Sequence, residues 1–139
     1  MIDLVMAAAL AQAGAGPDPC HAAAPAARPA TCRQWRRLAG DDQVELFIDP
    51  ASVRRDAAGF EIDTRIVYAT PQEEEGMRSG VTTNRYDCAA RTWALRHSAY
   101  YDESGTLLVE GDTSGDAADP EPVPAGSPMA GLLTEFCPR

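Results

Sequence analysis

The longest regular pattern in the chain is an alternation. Phe60, Ile62, Thr64, Ile66 and Tyr68 alternate with Glu61, Asp63 and Arg65, the period of two expected of a strand with one buried and one wet face. Val44, Leu46 and Ile48 alternate with Glu45 and Asp49, and Phe47 interrupts the polar side. A Thr- and Tyr-rich run from Val81 to Cys88 predicts another strand. Trp93, Leu95, His97, Ala99 and Tyr101 place a second apolar stripe on one face of the next, and Leu107 to Glu110 predicts a shorter one. The runs are separated by turn-forming stretches at Asp49-Pro50, Asp56 to Gly59, Glu73 to Gly80, Asp87 to Arg91 and Asp102 to Gly105. Connections this short predict an antiparallel meander, because a parallel crossover needs about a dozen residues.

Near the carboxy terminus the period changes. Ser127 is a capping residue, Pro128 suits the first helical position, and Met129, Leu132, Leu133 and Phe136 recur at helical spacing. Cys137 continues that apolar stripe, and Cys88 ends a strand on the side of Tyr86. A Cys88–Cys137 bridge would pin the helix to the sheet and close a loop worth about 4 kcal/mol in the chain-entropy view. The fold class expected is α+β: a small antiparallel meander of about six strands, one carboxy-terminal helix packed on it, and a disulfide staple.

The amino-terminal third has no such pattern. Leu4 to Ala13 is an apolar run followed by a small-x-small site, Ala11-Gln12-Ala13, so residues 1–13 read as a degenerate signal peptide. No basic residue precedes the run, and Asp3 does. The run is shorter than the ~20 apolar residues that span a bilayer. Cys20 follows Asp18-Pro19 rather than the small apolar residues of a lipid-attachment site. Residues 14–34 read as an Ala/Pro-rich linker, and the domain proper is expected over 35–139. Cys20 and Cys32 are paired here by proximity and parity alone. The alternative, a metal site with His21, lacks a fourth ligand. Paired cysteines point to an oxidising compartment, hence to a periplasmic, cell-surface or secreted protein.

Composition explains why a staple is needed. Of 139 residues, 25 are alanine and only 23 are Leu, Ile, Val or Phe, about 17%, with a net charge of −9. Chains of that composition often fail to fold unaided. All 12 basic residues are arginine, and the pI is near 4.5, which excludes the basic stripe that a nucleic-acid binder requires. From His97 onward eight carboxylates face a single arginine, Arg139.

Catalytic signals are lacking. The sequence contains no Gly-rich phosphate loop, no Gly-x-Ser-x-Gly elbow and no His/Glu metal helix. His97 lies within an apolar stripe and reads as a core or interface residue. Glu73-Glu74-Glu75 reads as a solvated loop. Asp112, Asp116 and Asp119 around Gly115 do not match a calcium loop, and Pro120, Pro122 and Pro124 predict an extended linker. No cofactor and no metal is expected.

Taken in order, Trp35, the Asp49-Pro50-Ala51-Ser52-Val53 turn, the strand ending at Tyr68, Asp87-Cys88 with Arg91, Tyr101 with Gly105, and Pro124-Ala125-Gly126-Ser127 before a helix ending at Cys137 resemble the bacterial surface-adhesin protein E-like family. The chain departs from that pattern in having no lysine and no Trp in the long strand. The resemblance implies a disulfide-tied antiparallel sheet and helix, and the family's named member is an outer-membrane adhesin that binds host matrix proteins and plasminogen. We therefore expect a non-catalytic extracytoplasmic module that binds a protein ligand, with an accessory envelope domain as the alternative and a small secreted enzyme third. Trp93, Tyr68, Tyr100 and Tyr101 are the candidate interface residues, and a symmetric homodimer is expected through sheet edges or faces.

Overall fold

A computed structural model describes residues 33–72 and 76–139. The leader, most of the linker, Cys20, His21, Cys32 and Glu73-Glu74-Glu75 lie outside the described residues. Six antiparallel strands follow one another in space as they do in sequence: β1 (Arg36–Gly40), β2 (Val44–Arg55), β3 (Gly59–Gln72), β4 (Met77–Asp87), β5 (Thr92–Tyr101) and β6 (Leu107–Asp112). A two-residue strand, β7 (Glu121–Pro122), pairs with the start of β5 beyond the end of β6. Part of the stretch expected to be an extended linker is thus a strand, and a 3-10 turn at Gly115–Ala118 precedes it.

The helix α1 (Pro128–Phe136) forms as its sequence predicts. Ser127 Oγ accepts from the Ala130 amide at 3.2 Å, and Pro128 occupies the first turn, where its missing N–H costs nothing. Leu132, Leu133 and Phe136 face the sheet and are buried with Ile48, Phe60, Ile62 and Tyr86. Phe60 and Tyr86, paired across β3 and β4, stack at 5.0 Å, and Phe136 closes on Phe60 at 5.5 Å. The Cys88–Cys137 disulfide ties the end of α1 to the turn after β4, with the two Cα atoms 5.7 Å apart. The β2–β3 turn is held by Asp56, whose carboxylate accepts from the Ala58 and Gly59 amides and from both terminal nitrogens of Arg85. The Arg85 guanidinium, with the turn amides, holds the Asp56 carboxyl well below its usual range.

Two expectations about faces need correction. The stripe from Trp93 to Tyr101 does not stay on one face. Thr83 pairs with His97 while Asn84 pairs with Leu95, so Arg96 is an extra residue in β5. A bulge of this kind reverses the alternation beyond it. Trp93 and Leu95 therefore share the helix-side face with Tyr100, while His97, Ala99 and Tyr101 fall on the other. His97 consequently leaves the core side and sits beside β6, with Nδ1 2.9 Å from Asp112 Oδ1 and Nε2 3.2 Å from Glu110 Oε2.

The second correction concerns the face expected to be wet. Asp63 and Ala99 are completely buried there, and Asp49 is nearly so. Arg33, at the end of the segment read as linker, explains the two carboxylates. Its Nη1 donates to Asp49 Oδ2 at 3.2 Å and to Asp63 Oδ2 at 2.6 Å, and its own side chain is only 3% exposed. The Trp35 ring lies 5.2 Å from its guanidinium carbon. Asp49 and Asp63 are direct cross-strand partners, an arrangement of like charges that is destabilising by itself and that the Arg33 guanidinium offsets. The Asp49-Pro50-Ala51-Ser52-Val53 turn of the sequence is a wide bulge in β2, since pairing with β3 resumes only at Arg54–Glu61. Ser52 Oγ closes it by donating to the Asp49 carbonyl at 2.7 Å and accepting from the Asp63 amide at 2.8 Å.

Candidate functional site

A nine-residue helix is about 13 Å long, whereas the strands β2 to β5 are 10 to 14 residues long, roughly 33–47 Å. One helix cannot cover such a face. Residues at one end, around Phe60, Ile62 and Tyr86, lie beneath α1. Farther along the same strands the apolar surface continues past the helix and forms a groove of about 260 Å³.

Its aliphatic lining comes from five elements: Leu38 of β1, Leu46 of β2, Ile66 of β3, Leu95 of β5, and Met129 with Leu132 of α1. Three aromatic residues singled out by the sequence, Tyr68, Trp93 and Tyr100, line it as well. They arrive from β3 and from both sides of the β5 bulge, so the bulge is what brings Trp93 and Tyr100 to one surface. Tyr101, the fourth candidate, faces the opposite side, where burial and the nearby Glu110 carboxylate push its phenol up. Gly80 makes room for Tyr100. It pairs with Tyr100 across the sheet, and the Tyr100 ring lies where a Cβ on residue 80 would stand.

The floor is polar, which sequence reasoning missed. Thr64, Thr82 and Asn84 line the groove beside Tyr86. Asn84 Nδ2 donates to Thr64 Oγ1 at 3.2 Å and to Thr82 Oγ1 at 3.3 Å. The period of two would have placed these residues on the apolar face, and polar residues at apolar positions were the available signal. None of the lining residues is charged.

A model of the surface-adhesin protein E family matches residues 35–138. The chain belongs to that family. Membership accounts for the ordered elements noted in the sequence and implies a surface-adhesin role, with a location at the cell surface or outside the cell. It implies binding rather than catalysis. No curated protein and no solved structure matches the chain. Among the described residues no helix is long and apolar enough to cross a membrane, and no group of three or more His, Cys, Asp or Glu side chains is placed to hold a metal ion. Asp112, weighed above as part of a calcium loop, is engaged by His97.

Proposed function

We propose that this family member is a non-catalytic module, displayed outside the cytoplasm, whose grooved sheet face engages a protein ligand. The observation that carries the reading is the meeting of Tyr68, Trp93 and Tyr100 on one groove with largely apolar walls that no other described residue covers. Large aromatic residues supply most of the energy in protein interfaces, and apolar surface left open beside a packed helix is where a partner gains most by desolvation. The matrix proteins and plasminogen named by the family resemblance are the ligands to test.

The experiment is a binding titration of the full, disulfide-bonded chain against immobilised matrix proteins and plasminogen, with Leu95→Arg as the groove variant and Arg54→Ala as a control on the other face. We expect Leu95→Arg to weaken binding at least tenfold and Arg54→Ala to leave it unchanged. Loss of all binding by the unaltered chain, or indifference to Leu95→Arg, would leave the accessory envelope domain as the better reading.

Self-association is a second reading, favoured by Leu107 and Val109, which are 48% and 57% exposed on edge strand β6. An edge strand carrying apolar side chains invites pairing with a second copy. Sedimentation equilibrium over a hundredfold concentration range should show mass rising toward a dimer. A monomer mass throughout counts against it.

A further inference from the structure

Two polar side chains in the groove wall are almost fully buried and incompletely paired. Asn84 is 7% exposed and Tyr86 2%. Asn84 spends its Nδ2 on Thr64 and Thr82, and among the described residues nothing donates to its Oδ1. The Tyr86 hydroxyl likewise has no hydrogen-bond partner among them. Buried polar groups are nearly always satisfied, and leaving one without a partner costs about 1–3 kcal/mol. Both residues lie on the helix-side face of β4, two positions apart, and both line the groove. Burial pushes the Tyr86 phenol up to about 12, so at neutral pH it keeps its proton and can donate.

We infer that the groove is an anchor site for a neutral aromatic side chain tipped by a hydroxyl, the chemistry of a tyrosine presented by a protein ligand. The hydroxyl accepts from Tyr86 and donates to Asn84 Oδ1, while its ring packs among Leu46, Ile66, Trp93 and Leu95. The volume suffices, since a cavity of about 150 Å³ already holds benzene. A hydrocarbon tip would leave both polar groups unsatisfied. An ionised tip would be buried against a lining without charge, at higher cost still. This rests on the reading of the groove as a protein-binding surface and names what that surface recognises.

Three small probes test it on the full chain: p-cresol, toluene and p-toluate, followed through groove resonances in NMR and through Trp93 fluorescence in a Trp35→Phe background. We expect saturable binding of p-cresol about thirtyfold tighter than toluene, the ratio that two net hydrogen bonds supply, and no binding of p-toluate. Tyr86→Phe and Asn84→Ala should each cut the preference for p-cresol to about fivefold, one hydrogen bond remaining. Toluene should bind both variants as it binds the unaltered chain, which shows the groove intact. Toluene binding as tightly as p-cresol, a preference left undiminished by either substitution, tight binding of p-toluate, or no binding of any probe would each overturn the proposal. The same variants are titrated with the matrix proteins. A p-cresol preference without protein binding would sink the adhesive reading and leave the site standing, and the reverse result would do the opposite.

Discussion

The ring of Tyr100 lies across the backbone of Gly80, where a Cβ would stand 2.6 Å from its Cδ1 and 2.7 Å from its Cε1. Ile66 Cγ2 would be 3.2 Å from the same atom. Glycine in mid-strand ordinarily weakens a sheet, and here the aromatic ring fills the space it leaves. The predicted outcome for Gly80→Val is a displaced Tyr100, a loss of about 1–3 kcal/mol and altered resonances at Tyr68 and Leu95. Urea denaturation and NMR check it; unchanged stability with unmoved resonances would mean that the contact is unimportant.

Removal of Arg33 should be among the most damaging single changes available. It leaves Asp49 and Asp63 facing each other, both nearly inaccessible to water. Breaking a buried ion pair at one partner typically costs about 3–5 kcal/mol. By contrast Arg36→Ala, which breaks a pair with Glu135 open to solvent on both sides, should have little measurable effect. Comparing the two denaturation midpoints decides whether Arg33 is part of the folded domain or only the end of a linker.

Ser52→Ala should cost about 1–3 kcal/mol, because it strands a buried amide at Asp63 and a carbonyl at Asp49 at once. Hydrogen exchange is the sharper readout, since the Asp63 amide should lose protection before its neighbours in β3. Equal protection in variant and parent would show that the bulge closes without the hydroxyl.

Replacing Cys88 and Cys137 by serine should lower stability by about 4 kcal/mol for a loop of this size. That is most of what so lean a core can supply. Thermal unfolding with and without reductant should give the same loss in the parent chain and none in the double variant.

The pH dependence above neutrality should trace to His97. Hydrogen bonds that its ring N–H groups donate to the Asp112 and then the Glu110 carboxylates raise its pKa above the ordinary 6.5, against the opposing effect of burial. A raised folded value means that its contribution is complete below 6.5 and fades as pH rises through the folded pKa. The unfolding free energy from urea titrations should therefore decline from pH 6 toward pH 8, by an amount on the order of 0.5 kcal/mol. In His97→Gln that slope should vanish.

The sequence by itself determined what is local. The alternation from Phe60 to Tyr68 gives β3 its two faces, and Ser127-Pro128 with the Met129–Phe136 spacing gives α1 its start and its buried side. Together those faces place Cys88 and Cys137 within reach of each other, which is why the staple was legible. Tertiary structure alone decided how the strands register. One additional residue at Arg96 leaves no mark on composition or turn propensity, because a bulge is a relation between two strands, yet it sends His97 and Tyr101 away from Trp93 and sets Tyr100 beside it. The same holds for Arg33. Nothing in its neighbours distinguishes it from a linker arginine, and its burial follows from two carboxylates brought opposite each other by strands 14 residues apart in sequence, Asp49 and Asp63. The groove, finally, exists because a nine-residue helix is much shorter than the strands it packs on, a mismatch of dimensions that appears only when the two are packed together.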